Sequence, residues 1–408
     1  MLAEGDKLPP TWRKTFIALW FGCFMTGLGA SMTMPFLSLF IDSIGHFSRF
    51  ELNIYSGIAF AGTFLTQAIV SPFWGSLADR KGRKLMCLRA SGVMAITIFL
   101  TGTASNVWMI IILRLIQGTF SGYINNATAF IAGETTKSRS GSVMTMIMTA
   151  GVTGNLLGPL FGGILADAFG YRIPFYITGF CMALAFFMTL FNTKENFQPV
   201  SKKEIKPAAK MFAALENKRL IIVMFLTTLI VQSSLMSISP IISLLVKELM
   251  HDQGNISFVS GVVAATPGFG TLLVASWLGH KMDLIGPLKI LLFGLAAATL
   301  LFIPMFMAES PWVLAFWRFL LGVANAALLP AVQTALTLSV PAKSFGRIFS
   351  YNQSFQAAGG VIGPLLGSVV SSSFDYQYVF LVTSVLIFIN FWIVVVLKVH
   401  LTREKNTI

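Results

Sequence analysis

Arg114 and Arg318 each stand well inside a long apolar run, in "IILRLIQGTFSG" and "AFWRFLLGVANAA". A guanidinium is charged at every physiological pH and offers five hydrogen-bond donors. Left in hydrocarbon it costs about 2.5–3.5 kcal/mol or more, so it must face protein or a wet cavity. Arg114 lies about seven residues into its run, roughly 10 Å below the nearer edge at about 1.5 Å per residue. One task for it is a brace that ties down carbonyls at a bend in the first apolar run.

A second constellation is "GSLADRKGRK", residues 75–84, which joins two apolar runs. Gly75 opens it and Gly82 supplies a tight turn, while Arg80, Lys81, Arg83 and Lys84 surround a single acid, Asp79. A carboxylate there can pair with a neighbouring base or face the positive N-terminal end of a helix from the other half. If that contact exists in one of two bundle arrangements, it is a latch. Otherwise the turn is a solvated basic hairpin that sets topology.

A third is the run Gly151, Gly154, Gly158 and Gly162, spaced three, four and four, which makes one smooth stripe along a helix. Such a stripe admits a neighbouring helix closely. Pro159 within it removes a backbone donor and invites a bend. Neutral amides fall near the middle of other runs: Gln67, Asn125, Asn126, Gln232, Asn325, Gln333, Asn352 and Gln356. Among Met and Phe they suit a broad pocket for amphipathic molecules, though amides also glue helices together. Asn125 lies three helical turns from Arg114, which would put both on one face.

The chemistry that is absent narrows the choice. The sequence contains no G-x-x-x-x-G-K-[ST], no H-E-x-x-H among its four histidines and no G-x-S-x-G, so nucleotide-binding and hydrolytic tools are missing. Cys23, Cys87 and Cys181 are scattered without metal spacing and read as packing residues.

The elements that must position these groups are membrane spans. The 408 residues are 55% hydrophobic and 11% charged, too apolar for a soluble chain. Runs long enough to cross a bilayer, about 20 residues, begin at 16–41 and continue near 53–78, 85–104, 107–133, 141–166, 173–193, 220–246, 255–279, 290–308, 311–339, 348–373 and 377–397. That gives twelve spans. The first is too long for a signal-peptide core, typically about 7–15 residues, and reads as an uncleaved span. Arg89, one turn into the third run, is expected to snorkel to the interface.

The net charge of +13 reflects topology rather than a nucleic-acid partner. With both termini inside, inner loops and tails hold 24 Lys and Arg and outer loops three, Arg49, Arg172 and Lys247. This is the positive-inside asymmetry. All sixteen acids fall at span ends, loops or tails, with Asp42 and Asp167 among those outside.

A hydrophilic stretch, residues 192–219, divides the chain in two. It carries seven of the inner charges and reads as a linker against anionic lipid, with "AAKMFAAL" as either an interfacial helix or a flexible tether. The halves repeat. Gly75, Asp79, Gly82, Arg114 and Gly118 recur as Gly279, Asp283, Gly286, Arg318 and Gly322 at an offset of 204. Gly154, Gly158, Pro159 and Gly162 recur as Gly359, Gly363, Pro364 and Gly367 at 205. The expected fold is therefore an all-α membrane protein of twelve transmembrane helices in two pseudo-symmetric six-helix bundles, 1–192 and 220–408, joined by 193–219. Duplicated halves of this kind build secondary transporters with a central site.

These motifs carry a resemblance. The 75–84 stretch resembles the signature between helices two and three of the major facilitator superfamily. "RLIQGTFSG", Arg114 to Gly122, is similar to the fourth-helix motif of its drug:proton antiporters, and "GVTGNLLGPLFGG", Gly151 to Gly163, to their fifth-helix antiporter motif. The whole chain most resembles the twelve-helix bacterial multidrug efflux branch, including "MPFL" in helix one and "RIFSYNQSF" in helix eleven.

The resemblance implies a proton-coupled exporter of small amphipathic compounds in the bacterial cytoplasmic membrane, working by alternating access. An exporter of one metabolite, sugar or lipid is the alternative. It assigns Arg114 to proton coupling and the helix-five stripe to antiport, and the recurrence at Gly359–Gly367 suggests a seam between helices five and eleven. Relatives that expel cations often carry an acid within helix one or four. None stands there here, so a neutral to electropositive cavity is expected, with the proton on an edge acid such as Asp42 or Asp167 or on the substrate itself. The partners implied are small amphipaths, protons and membrane lipids, with a monomer, no enzyme activity, no cofactor and no metal.

Overall fold

A computed structural model of the chain describes residues 12–135, 140–195, 217–340 and 345–406. Twelve helical spans among them are long and apolar enough to cross a membrane. The first half contains α1 (Trp12–Thr33), α2 (Leu37–Ser43), α3 (Arg49–Lys81), α4 (Arg83–Gly102), α5 (Val107–Phe120), α6 (Tyr123–Gly133), α7 (Ser140–Phe169) and α8 (Arg172–Asn192). The second contains α9 (Lys218–Ser237), α10 (Ile242–Leu249), α11 (Ile256–Ile285), α12 (Pro287–Phe306), α13 (Pro311–Ser339), α14 (Phe345–Ser373) and α15 (Tyr378–Asn406). The "AAKMFAAL" segment lies outside the described residues.

Three spans are interrupted, and the interruptions have local causes. Pro35 separates α1 from α2, and Pro240, at the repeat offset of 205, separates α9 from α10. Proline removes an amide and clashes with the preceding turn. The fourth span breaks between α5 and α6 at Ser121-Gly122, where Gly122 has φ +110°. A left-handed residue ends an α-helix and needs the freedom of glycine. The break was not expected from the continuous apolar run. Its repeat position is Ala326, and α13 passes through it without interruption.

The helices pack as two compact units. Among the described residues, the first takes those within 12–46, 65–195 and 255–261, the second those within 47–64, 217–254 and 262–406. Thus α3 begins in the second unit and ends in the first, and α11 does the reverse.

Within each unit the pairings repeat. In the first, α1 packs on α7 and α8, and α4 on α8 and α5. In the second, α9 packs on α14 and α15, and α12 on α15 and α13.

Cys23 and Cys87 are free thiols in the core of the first unit, packed with Leu19, Tyr123, Phe130 and Ile147. The Tyr123 hydroxyl reaches Thr189 Oγ1 at 2.7 Å, and Gly22 leaves room for it.

Candidate functional site

Arg114 is 3% exposed, on the buried face of α5. Its Nη1 donates to Gln117 Oε1 at 3.2 Å, and Nη2 approaches the Met34 sulfur at 2.9 Å. Met34 belongs to the Pro35 interruption, so this arginine reaches the bend in span one. Its counterpart Arg318 donates Nε–H to the Val263 carbonyl at 2.9 Å, while its buried Nη1 has no hydrogen-bond partner among the described residues.

Below Arg114 the broken span is held by a group that the sequence placed at the interface. Arg89 does not snorkel. Its Nη2 donates to the carbonyls of Ser121 at 2.9 Å and Phe120 at 3.4 Å. Those carbonyls end α5, where a cation meets the negative end of the helix. The guanidinium also lies 3.7 Å from the centroid of Trp74, whose indole N–H donates to Thr119 at 2.7 Å. The Asn126 amide donates to Gly122 O at 2.8 Å, so it is engaged at the break rather than offered to a pocket. Ser-Gly is a standard helix punctuator, and that signal could have located the break. In the second half Phe293 replaces Arg89 and is 72% exposed.

The break also removes the reason for pairing Asn125 with Arg114. A shared face requires a continuous helix, and the left-handed turn at Gly122 interrupts the screw. Arg114 is buried on α5, and Asn125 is exposed on α6.

At the 75–84 turn Gly82 has φ +93° and precedes α4 directly. The first two amides of α4, Arg83 N–H and Lys84 N–H, donate to the two carboxylate oxygens of Glu195 at 2.6 and 2.8 Å. Lys84 Nζ in turn donates to the Leu190 and Thr193 carbonyls at 2.9 and 2.5 Å. The carboxylate that caps this turn is Glu195, hidden among the linker charges, and the helix it caps belongs to the same half. Gly75 and Arg80 are exposed, Arg83 is half-buried, and the side chain of Asp79 lies outside the described residues.

Asp167 is likewise a helix cap. Its two oxygens accept from Ser257 N–H at 3.0 Å and Phe258 N–H at 2.7 Å, in the first turn of α11. Asp42 is half-buried at the end of α2.

The glycine stripe faces α1. A methyl group added at Gly154 would strike the Phe24 carbonyl, at Gly158 the Ser31 hydroxyl, and at Gly162 the Met32 carbonyl. In the second unit Gly359, Gly363 and Gly367 meet the carbonyls of Leu229, Ser233 and Ser237 on α9. The expected seam between helices five and eleven is therefore not what fills these stripes: each receives the first helix of its own unit. A bare backbone groove fits a helix best where the partner also exposes backbone, as α1 does at Gly27 against Gly151. α7 runs unbroken through Pro159.

The amides divide. Gln232 and Gln356 meet each other at 3.4 Å, and buried Asn352 accepts from Thr228 at 2.7 Å. These three join α9 to α14. Gln67 and Asn325 are half-buried, and Gln333 is exposed. Asn390, completely buried on α15, accepts from Thr227 at 3.1 Å and leaves its Nδ2 without a partner among the described residues. It escaped notice because it sits in the most apolar span of all.

Two bundles with matching internal pairings, interrupted first helices and an arginine in each fourth span, buried at Arg114 and half-buried at Arg318, define the architecture. The family model described as Major Facilitator Superfamily matches residues 19–248 and again 224–407. The chain belongs to the Major Facilitator Superfamily.

Within it, the chain is 47% identical over 385 residues to the Multidrug resistance protein MdtG of Salmonella arizonae, covering 94% of this chain and 95% of that one. The protein of the same name from Salmonella typhimurium matches with the same identity and coverage. Among solved structures, a bacterial homolog of the human lysosomal transporter Spinster, inward-facing and unoccupied, superposes with a TM-score of 0.77 at 16% identity, covering 95% of this chain and 97% of that one. The nucleoside transporter NupG superposes at 0.76 and 14% identity, covering 94% and 99%. These two speak to the fold alone. This superfamily member is a multi-pass membrane protein of a transporter family.

Proposed function

We propose that this chain is a proton-driven exporter of small amphipathic compounds, with no enzymatic activity of its own. It would act as a monomer in the bacterial cytoplasmic membrane with both termini in the cytoplasm. The observation that carries the reading is the nearly full-length similarity to the MdtG multidrug resistance proteins. The lysine and arginine asymmetry supports the orientation.

In this reading the two units, separated in sequence by the 193–219 linker, alternate the access of a central site. Proton coupling is assigned to Arg114 and an edge acid. Asp42 and Asp167 are the two outer candidates, and Asp167 also caps α11. Asp79, Arg80 and Arg83 with Gly75 and Gly82 form the latch. Asn125, Gln67, Asn325 and Gln333, less engaged than the other amides, line the substrate path.

Substrate charge follows from electrostatics. Arg114 and Arg318 put two cations within the spans, and no acid lies deep in any span to offset them. A buried charge without a partner costs several kcal/mol. Neutral, zwitterionic or weakly anionic amphipaths are therefore favoured over dications. Matched dyes differing only in charge, loaded into everted vesicles under a proton gradient, test both claims. The neutral dye should accumulate until a protonophore is added. Faster accumulation of the dication would overturn the charge assignment, and accumulation that survives the protonophore but not ATP removal would overturn the energy source.

A further inference from the structure

The second unit carries an apolar groove outside the candidate site residues described above. It runs between α9 and α15, with a volume of about 710 Å³. Its walls are apolar: Ile222 and Val223 on α9, Phe388, Trp392 and Val396 on α15. At one end only, the walls give way to Arg219 and His400, which are hydrogen-bonded to each other. Lys218, exposed, precedes Arg219 at the start of α9, where the helix dipole adds positive potential.

The dimensions are those of one leaflet. From Phe388 to His400 the groove follows about twelve residues of helix, about 18 Å, against a leaflet depth of about 15 Å in a hydrocarbon core of about 30 Å. Trp392 and Val396 are 52% and 65% exposed, so the walls are not covered by protein. At the repeat offset of 205 Lys14 stands for Arg219 and Glu195 for His400, so in the first half an acid committed to α4 takes the place of the histidine.

We propose that this groove is a binding site for an anionic phospholipid. One acyl chain lies along Ile222, Phe388, Trp392 and Val396, and the phosphate meets Arg219 and His400 at the mouth. The charge at one end and the apolar walls below match a molecule with an anionic head and a long hydrocarbon tail. The remaining guanidinium donors of Arg219 and a helix N-terminus favour a headgroup with no ammonium of its own, as in phosphatidylglycerol, over a zwitterionic one. In the orientation proposed above the lipid comes from the cytoplasmic leaflet, and only that detail rests on the functional reading.

Trp392 provides the probe. The full-length protein and its Trp392→Phe variant are reconstituted in phosphatidylcholine vesicles containing a small fraction of brominated phosphatidylglycerol or brominated phosphatidylcholine. The difference in emission isolates Trp392, which contact with brominated chains quenches. At equal mole fraction the phosphatidylglycerol should quench it several-fold more strongly. In the background of Arg219→Ala with His400→Ala the preference should vanish, while Arg219→Lys keeps it. Emission from the other tryptophans checks that each variant is folded. Equal quenching by the two lipids, or a preference that survives the double substitution, would overturn the site. Neither result bears on whether the protein exports drugs, since no transport is measured.

Discussion

The carboxylate of Asp167 accepts the backbone N–H of Phe258 at 2.7 Å, fastening the end of α7 to the first turn of α11. This is N-capping by a residue 91 positions away in sequence. Asn caps as well as Asp, whereas Ala does not. Asp167→Asn should retain both thermal stability and gradient-driven export, and Asp167→Ala should lose about 1 kcal/mol of stability. Loss of coupled export in a stable Asn variant would identify Asp167 as the proton carrier.

The broken fourth span depends on Gly122 and Arg89 together. An alanine at φ +110° is strained by about 1–3 kcal/mol, so Gly122→Ala should lower the melting temperature and slow export. Arg89→Ala strips the Ser121 carbonyl of its donor and Trp74 of its cation. Arg89→Lys should restore stability only in part, because an ammonium cannot stack and fork at once. Thermal melts of the three variants in detergent decide this. An undisturbed Arg89→Ala protein would show that the break supports itself.

Glu195 and Gly82 should be coupled. Glu195→Ala leaves two amides of α4 uncapped, at a cost of about 1–2 kcal/mol. Gly82→Ala brings a methyl against the Glu195 carboxylate and also strains φ. Removing Glu195 relieves the collision but not the strain, so the double variant should lose less than the sum of the two single losses. Strict additivity in a double-mutant cycle would mean that the carboxylate does not hold this turn.

Two glycines of similar rank in the motifs should behave oppositely. Gly154→Val drives a branched side chain into the backbone of α1, where overpacking costs about 1–3 kcal/mol or more. Misassembly is the expected result, visible as loss of a monodisperse peak. A methyl group at Gly75 meets nothing within 4 Å. Gly75→Ala should therefore melt normally, and a fall in its export rate would identify a contact of the latch made elsewhere in the cycle.

Much of this architecture was legible because duplication writes itself twice. The offsets of 204 and 205 anticipated the matching pairings of α1 with α7 and of α9 with α14. Arg114 was legible because a guanidinium in an apolar run has few places to go. The rest was hidden by competition between readings of one residue. Arg89 near a span end satisfies the snorkelling rule, and only the position of Ser121 in space shows that the side chain turns inward. Glu195 looked like one charge among many in a linker. Its role depends on a helix start 112 residues earlier, which no local pattern reveals. The face opposed to the glycine stripe was equally out of reach, since close packing is written in one helix and the partner in another.

The membership of α3 and α11 in both units has a consequence for how the chain can be cut. Severed in the linker, the polypeptide yields two fragments, and each lacks a strip of helix that its own unit is built from. The first is missing 255–261, which meets Asp167, and the second is missing 47–64, where Asn53 donates to the Ser371 carbonyl at 3.0 Å. Neither fragment should be stable alone in the membrane. Produced together they should recover a working transporter without the peptide bond between them, because each supplies what the other lacks.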